Sequence, residues 1–472
     1  MSIIYSNFWD LEVLAPASKL ACIDSQDRSL TYEALSALID QVSAILTARA
    51  PRLLGFIFST NSVEWLSVYL GSLRAGHVPL LLPLNIEPTL FERLVDTYQP
   101  DWIWRPSMRE TKTADYTEPL DLILKTFEWR QRGICLQLHP ELGLLLSTSG
   151  STGSPKLVRL SYNALSANAS SIVSYLDIKA SDRAMTTLPP NYSYGLSVIN
   201  SHLAAGAAVV MNNTTLMSRD FLRVVQQEQV TTLSGVPTWY QMLLRTGFNK
   251  ADVPSLRVLT QAGGKLDERT KLTILNFAQA KGLRFFVMYG QTEASPRMSF
   301  VPPEALSAKL NSIGIPIPGG KLELDRLTSE LIYSGPNVMM GYAESRQDLE
   351  KGDELGGVLR TGDIGLVDEH GFFSITGRLS RFVKLSGNRY GLDGVEEALS
   401  MLTKSTVAVA GRDERLGIWI ESSNSNLQTQ VSSFLMEKYG LHHSLFRIYL
   451  VTNVPLLQTG KKNYTSLLKL LG

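Results

Sequence analysis

At 472 residues, with apolar side chains at 44% and a mean hydropathy of +0.01, the chain has material for two or three folding units around large buried cores. Lys and Arg number 45 against 44 Asp and Glu, so the net charge of +1 carries neither the basic excess of a nucleic-acid binder nor an acidic tail. Cys22 and Cys135 are too far apart and too few for a disulfide framework, the histidines lack metal-ligand spacing, and neither a secretory signal nor a membrane-length apolar run occurs, so a cytoplasmic protein without a membrane span is expected.

LLGFIFS (53–59) predicts a buried strand, VEWLSVYLGSLRAG (63–76) a helix ending at Gly76, and HVPLLL the next strand. The stretch LGLLLSTSGSTGSPK then sets an apolar strand, Leu142–Leu146, before a loop offering the hydroxyls of Ser147, Thr148, Ser149, Ser151 and Thr152. Gly150 and Gly153 permit close backbone approach, so successive N–H groups can converge on an anion, and Lys156 adds a point charge. Ser161 is expected to cap a helix whose buried face is Leu165, Ala169, Ile172 and Leu176. A Ser/Gly run alone reads as a flexible linker, but a strand before it and a helix after it favour an anion cradle. The loop is neither a Walker A sequence nor a Gly-x-Ser-x-Gly elbow, and the chain has no Gly-x-Gly-x-x-Gly fingerprint.

GAAVVM (206–211), FLRVVQQEQV (221–230), TTLSGVP (231–237) and LRVLTQAGG (256–264) continue the alternation, which argues for parallel sheets covered by helices. After about residue 320 the pattern changes to the short punctuated strands KLELD, SELIYSG and FFSITG, as in a barrel or meander. From about residue 380, VKLSG, GVEEALSM, TVAVAG, LGIWIES, QTQVSSFLMEKYG and FRIYLV make a compact strand and helix unit. The expected fold class is α/β: a large N-terminal domain of helix-covered, mostly parallel sheets plus a small β-barrel-like subdomain (1–379), followed by a small mobile α+β C-terminal domain (380–472).

The run Thr148 to Lys156 resembles the phosphate loop of the adenylate-forming superfamily, which includes acyl-CoA synthetases, non-ribosomal adenylation domains and luciferases. Further motifs of that family follow in order. Tyr289-Gly290-Gln291-Thr292-Glu293 looks like the motif whose aromatic packs on adenine, whose Thr contacts the α-phosphate and whose Glu holds Mg²⁺. Arg360-Thr361-Gly362-Asp363 looks like the motif whose Asp takes the ribose hydroxyls, and Gly377-Arg378 is similar to the hinge pair whose Arg also reaches ribose. Gly387-Asn388-Arg389 resembles the next turn, and Thr459-Gly460-Lys461 the motif with the catalytic lysine; LTYEALSALI, SGPNVMMGY and SIGIPIPGG are weaker echoes. The resemblance spans about residues 20–468.

It implies ATP-dependent activation of a carboxylic acid to an acyl-adenylate, with Lys461, Thr292 and Glu293 catalytic and Glu293 binding the metal. The implied nucleotide set is Thr148, Ser149, Gly150, Ser151, Thr152, Gly153, Lys156, Gly263, Gly264, Tyr289, Gly290, Gln291, Asp363 and Arg378. Taken singly, Glu293 and Asp363 would pass for solvated loop acids, Tyr289 for a core aromatic and Lys461 for a surface lysine. LPPNYSYGL (188–196) resembles the border of the family's acid pocket, with Tyr192 where many relatives have His. Tyr192, Ser193, Ser234, Gly263 and Ser295 are expected to approach it. No Asp stands nearby to pair with a substrate ammonium, so a small or medium acid, partly polar or aromatic, is expected rather than an α-amino acid. The acceptor implied is the thiol of coenzyme A or of a carrier protein's phosphopantetheine. Two departures occur: Ser380 and Arg381 stand where the family hinge usually has Asp or Lys and then an acid, and Gly394-Val395-Glu396 keeps one acid of a usual pair. Two other readings remain open at this point: a stand-alone enzyme loading an amino or hydroxy acid on a carrier protein, and a non-catalytic nucleotide-binding relative.

Overall fold

The computed structural model describes residues 7–24, 28–106, 116–121, 126–130, 137–147, 156–218, 220–379, 381–385, 388–412, 414–457 and 461–471. Thr148 to Gly153, Cys135, Ser380, Gly387, Thr459 and Gly460 lie outside the described residues. The chain divides into two compact units. One comprises Met1–Leu310, Pro316–Lys321 and Ser334–Leu359; the other comprises Asn311–Ile315, Leu322–Tyr333 and Arg360–Gly472.

Within the first unit, one sheet places Leu54–Ser59 between Val78–Pro83 and Trp102–Arg105, all parallel, with Leu142–Ser147 parallel to Val78–Pro83 on the far side. Leu54–Ser59 is buried along its length, as a strand covered on both faces must be. A Cβ at Gly55 would stand 2.0 Å from the Trp102 ring, so the indole occupies the space a side chain would need. Both margins of this sheet are antiparallel: Leu157–Ser161 pairs with Leu142–Ser147, and Thr126–Arg130 with Trp102–Arg105. Strand direction is not encoded in periodicity, and these margins are the part of the sheet that the apolar pattern does not reveal.

The other sheet runs Arg284–Tyr289, Val258–Gln261, Thr232–Gly235, Arg183–Met185, Ala208–Val210 and Leu20–Ile23, every pair parallel. Ser299–Val301 returns antiparallel to Arg284–Tyr289, which makes the last βα turn of the sheet a hairpin tip. Helices connect the strands. Val63–Arg74 starts at Ser62, whose hydroxyl accepts from Trp65 N at 3.2 Å, and it is buried from Val63 to Leu73. Tyr162–Leu176 starts at Ser161, whose Oγ accepts from Ala164 N at 3.0 Å, and Leu165, Ala169, Ile172 and Leu176 are buried, as the spacing predicts.

Two histidines in this unit are buried and neutral. His77 Nδ1 accepts from Trp102 Nε1 at 3.3 Å while Nε2 meets the Ala50 carbonyl at 3.1 Å; His202 Nδ1 lies 2.8 Å from the Val198 carbonyl. Burial lowers each from the usual 6.5 to about 4. The unfolded chain takes up these protons near pH 6.5 and the native one does not, so stability is constant above that value and is lost as pH falls toward 4. The loss is expected to reach about 2 kcal/mol per histidine at pH 5. Urea unfolding at pH 7 and pH 5 measures it, and equal stabilities would contradict the neutral assignment.

All but the end residues Lys321, Ser334, Val358 and Leu359 of a four-stranded sheet, Lys321–Leu324, Glu330–Ser334, Val358–Val367 and Phe373–Arg378 in that order, belong to the second unit. That unit also contains a hairpin of Phe382–Leu385 with Asn388–Gly391 and a sheet of Val407–Arg412, Arg415–Glu421 and Phe446–Val451. Helix Leu392–Thr403 lies against Phe373–Arg378 and against Val407–Arg412. Val395, Leu399, Val407, Val409, Ile418 and Val431 form a buried core, and a helix the apolar pattern does not reveal, Tyr464–Leu471, closes the chain with Leu467 against Trp419. Among the described residues, no helix is long and apolar enough to cross a membrane. Cys22 is a buried free thiol pushed up to about 12 by its burial, so it is no nucleophile.

Candidate active site

Strand Arg284–Tyr289 delivers Tyr289 to the hairpin tip, where the backbone doubles back on itself. A Cβ at Gly290 would stand 1.5 Å from the Pro296 carbonyl oxygen, so only glycine fits there. Gln291 Nε2 donates to the Tyr289 hydroxyl at 3.3 Å, and a 3₁₀ turn, Thr292–Ala294, follows. Ser295 takes φ 62°, and the Ser295–Pro296 bond is cis. The tip is fastened by Asn337, whose Nδ2 donates to the carbonyls of Ala294 at 2.6 Å and Arg297 at 2.7 Å, while its own carbonyl accepts from Ser295 Oγ at 2.8 Å. The Ser295 hydroxyl is thereby engaged with the backbone.

Glu293 and Lys156 come together through Tyr342. The Tyr342 hydroxyl donates to Glu293 Oε1 at 2.8 Å, and Lys156 Nζ stands 3.7 Å from the centre of the same ring. Lys156 also faces Glu344 at 3.8 Å, a solvent-exposed pair of little energetic weight. Burial and the Glu293 carboxylate hold the Tyr342 phenol well above its usual range, so it donates rather than ionises. Among the described residues no cluster of three or more His, Cys, Asp or Glu could cage a metal. A single carboxylate on a turn next to a lysine suits Mg²⁺ shared with phosphate oxygens, since that ion is commonly held by one or two carboxylates and the substrate.

On the neighbouring helix, Ser193–Ala204, Ser193 Oγ shares a 3.1 Å hydrogen bond with Thr292 Oγ1. Tyr192 precedes that helix. A Cβ at Gly263, which takes φ 85°, would stand 2.6 Å from the Tyr192 hydroxyl, so a side chain there would displace the tyrosine. Gly264 backs onto Pro237. Burial pushes the Tyr192 hydroxyl up to about 12. Ser234 belongs to a buried chain in which Tyr194 and Thr260 hydroxyls lie 2.8 Å apart and Thr260 Oγ1 donates to Ser234 Oγ at 2.8 Å. The structure thus gathers Tyr289, Gln291, Thr292, Glu293, Lys156, Ser193, Tyr192 and Gly263 in the first unit, and engages Ser234 and Ser295 in internal hydrogen bonds.

In the second unit, Asp363 and Arg378 face each other across adjacent strands and pair at 2.6 Å, with Asp363 almost fully buried and Arg378 half exposed. The Lys461 carbonyl accepts from Leu457 N at 2.7 Å. Its neighbour Lys462 is committed elsewhere, at 2.6 Å from both Glu396 Oε1 and the Val407 carbonyl. Asn337 and Tyr342 are the residues that motif spacing passed over; both lie inside SGPNVMMGY, where the contacts that matter are made across the fold.

A family model described as AMP-binding enzyme matches residues 12–343. The indoleacetate–CoA ligase of Aromatoleum aromaticum is 28% identical over 428 residues, covering 83% of this chain and 82% of the relative. The medium-chain fatty-acid–CoA ligase of Escherichia coli is 26% identical over 457 residues, 87% of this chain and 79% of the relative. The 2-succinylbenzoate–CoA ligase of Bacillus subtilis is 30% identical over 340 residues, 70% and 64% respectively. Among solved structures, the Bacillus subtilis o-succinylbenzoate CoA synthetase in complex with its acyl-adenylate intermediate superposes with a TM-score of 0.77 at 21% identity over 98% of each chain. At that identity the likeness shows the fold.

Proposed function

The chain belongs to the AMP-binding enzyme family, and from that premise we propose that it uses ATP to activate a carboxylic acid as an acyl-adenylate, releasing pyrophosphate, and passes the acyl group to the thiol of coenzyme A. The row Lys156–Tyr342–Glu293, beside the Thr292–Ser193 pair at the tip of Arg284–Tyr289, is the observation that carries this reading. Attack of a carboxylate on the α-phosphorus crowds negative charge, so the chain's contribution is positional and electrostatic. Tyr289 packs on adenine, Thr292 contacts the α-phosphate, and Lys156 with the Thr148–Gly153 loop holds the outer phosphates. Asp363 and Arg378, already paired, serve the ribose hydroxyls. Glu293 would hold Mg²⁺, which when bound supplies charge neutralisation to the phosphates. Lys461 meets the charge that develops between the acid and the α-phosphate, and residues 380–472 act as the lid that carries it. The acids named for the relatives (an indole acetate, a succinylbenzoate, fatty acids) differ too widely to transfer. Their common naming as CoA ligases favours coenzyme A over a carrier-protein phosphopantetheine as acceptor.

Pyrophosphate release measured against a panel of acids, with and without coenzyme A, tests the reading. Release with some acid, and an acyl-CoA product when the thiol is present, is expected. ATP binding without release for any acid would overturn it, and thioester on a phosphopantetheinylated carrier but never on coenzyme A would move the acceptor.

A further inference from the structure

Arg297 is the one ionisable side chain on the returning leg of the hairpin tip, and it is 2% exposed. Its guanidinium carbon lies 4.0 Å from the centre of the Tyr194 ring, and it hydrogen-bonds the Tyr175 hydroxyl. Among the described residues it forms no ion pair, and its buried Nε has no hydrogen-bond partner. The three tyrosines around it, Tyr175, Tyr192 and Tyr194, each feel Arg297 as a neighbouring charge. A buried cation held by a phenol and a ring face, with its Nε donor unpartnered, lacks a counter-charge among the described residues. A purely structural strut at this place could be neutral: Asn337 already fastens the backbone by bonding the Arg297 carbonyl, which any residue provides.

The surroundings say what the charge faces. Tyr194 is adjacent in sequence to Ser193, the partner of Thr292, and its ring meets that of Tyr192 edge-on at 6.2 Å, above Gly263. Arg297 therefore stands in the wall expected to receive the acid, next to aromatic rings and on the same loop as Thr292. On the function proposed above, the carboxylate that attacks phosphorus is directed at the α-phosphate contacted by Thr292, so the guanidinium fork is left for a different anionic group.

We propose that Arg297 determines specificity by taking a second carboxylate of the substrate, remote from the one that is activated, so that the enzyme prefers dicarboxylic acids on an apolar or aromatic frame. This rests on the acid-activating function proposed above. A planar fork with parallel N–H donors matches a carboxylate in a way that lysine does not, and a diacid brings into the pocket the counter-charge the protein omits.

The test uses the full-length wild-type protein and pyrophosphate release with matched pairs, each a dicarboxylic acid and its monomethyl ester, over aromatic and short aliphatic frames. The preferred diacid is expected to exceed its half-ester in kcat/KM by at least about a hundredfold, the scale for leaving one partner of a buried charge pair unmatched. Arg297→Met should remove that preference by losing activity toward the diacid and keeping or raising it toward the half-ester, and Arg297→Lys should restore part of it. Equal use of diacid and half-ester by the wild type, or an equal loss of both in Arg297→Met with a partial return of both in Arg297→Lys, would overturn the role of Arg297 and leave acid activation standing. No release with any acid of either kind would instead overturn the activation reading, and this inference with it. If the methionine variant does not fold, the wild-type pairs and Arg297→Lys still decide.

Discussion

Lys461→Ala is expected to slow pyrophosphate-releasing activation by roughly a hundred- to a thousandfold, the effect of removing one preorganised donor from developing charge, while thioester formation from a supplied acyl-adenylate stays near wild type. The asymmetry follows from where the charge changes. In the first step a carboxylate approaches a phosphate, and a compact ammonium is suited to bridge them. In the second step the phosphate departs already stabilised, and the incoming group is a thiol. The neighbouring lysine cannot stand in, because Lys462 Nζ is held at 2.6 Å by both Glu396 and the Val407 carbonyl. Single-turnover assays of the two half-reactions separate the outcomes, and equal loss in both would remove the proposed role.

Glu396→Ala is expected to cost the second unit about 3–5 kcal/mol of stability, the scale for breaking a buried ion pair from one side. One carboxylate there collects Lys462 Nζ at 2.6 Å, Val409 N at 2.8 Å, Arg381 Nη2 at 3.2 Å, and the Tyr464 hydroxyl at 2.9 and 3.1 Å. Arg381 also bonds Asp393 and the Val409 carbonyl, and its guanidinium lies 3.8 Å over the Tyr464 ring. Removal of Glu396 leaves Lys462 with only a carbonyl, so the larger part of the penalty falls on that ammonium. Urea unfolding followed through Trp419, buried in this unit, reads the change. A shift below about 1 kcal/mol would place the network among solvent-screened surface pairs.

This network joins one residue from each of the two departures from the family pattern. Arg381, where an acid is common, and Glu396, the one acid kept of a usual pair, are partners, and a sequence comparison that scores each position alone registers only two irregularities. The same limit applies across the fold. Strands such as Leu54–Ser59 and helices such as Tyr162–Leu176 are legible because burial imposes a local period and Ser161 is a local cap. Motif order nominates Tyr289, Thr292, Glu293, Asp363 and Lys461 for the site. What stays hidden depends on residues meeting from far apart: Gly290 is required by the Pro296 carbonyl, Tyr342 gains meaning from a residue 49 positions earlier, and Ser295 is claimed by Asn337. Spacing can nominate a hydroxyl for a pocket but cannot tell whether a backbone carbonyl has taken it first.

The Lys156–Tyr342–Glu293 row joins a cation to an anion through one phenol. An occupant that draws Lys156 off the ring changes the electron density the hydroxyl shares with Glu293, and a cation that recruits Glu293 changes the ring that Lys156 sits on. If Lys156 takes phosphate and Glu293 takes Mg²⁺ as proposed, nucleotide and metal affinities would be linked by a single coupling free energy, of equal size in both directions whichever binds first. The phenol would make that cooperativity a property of the protein, in addition to any direct contact between metal and phosphate.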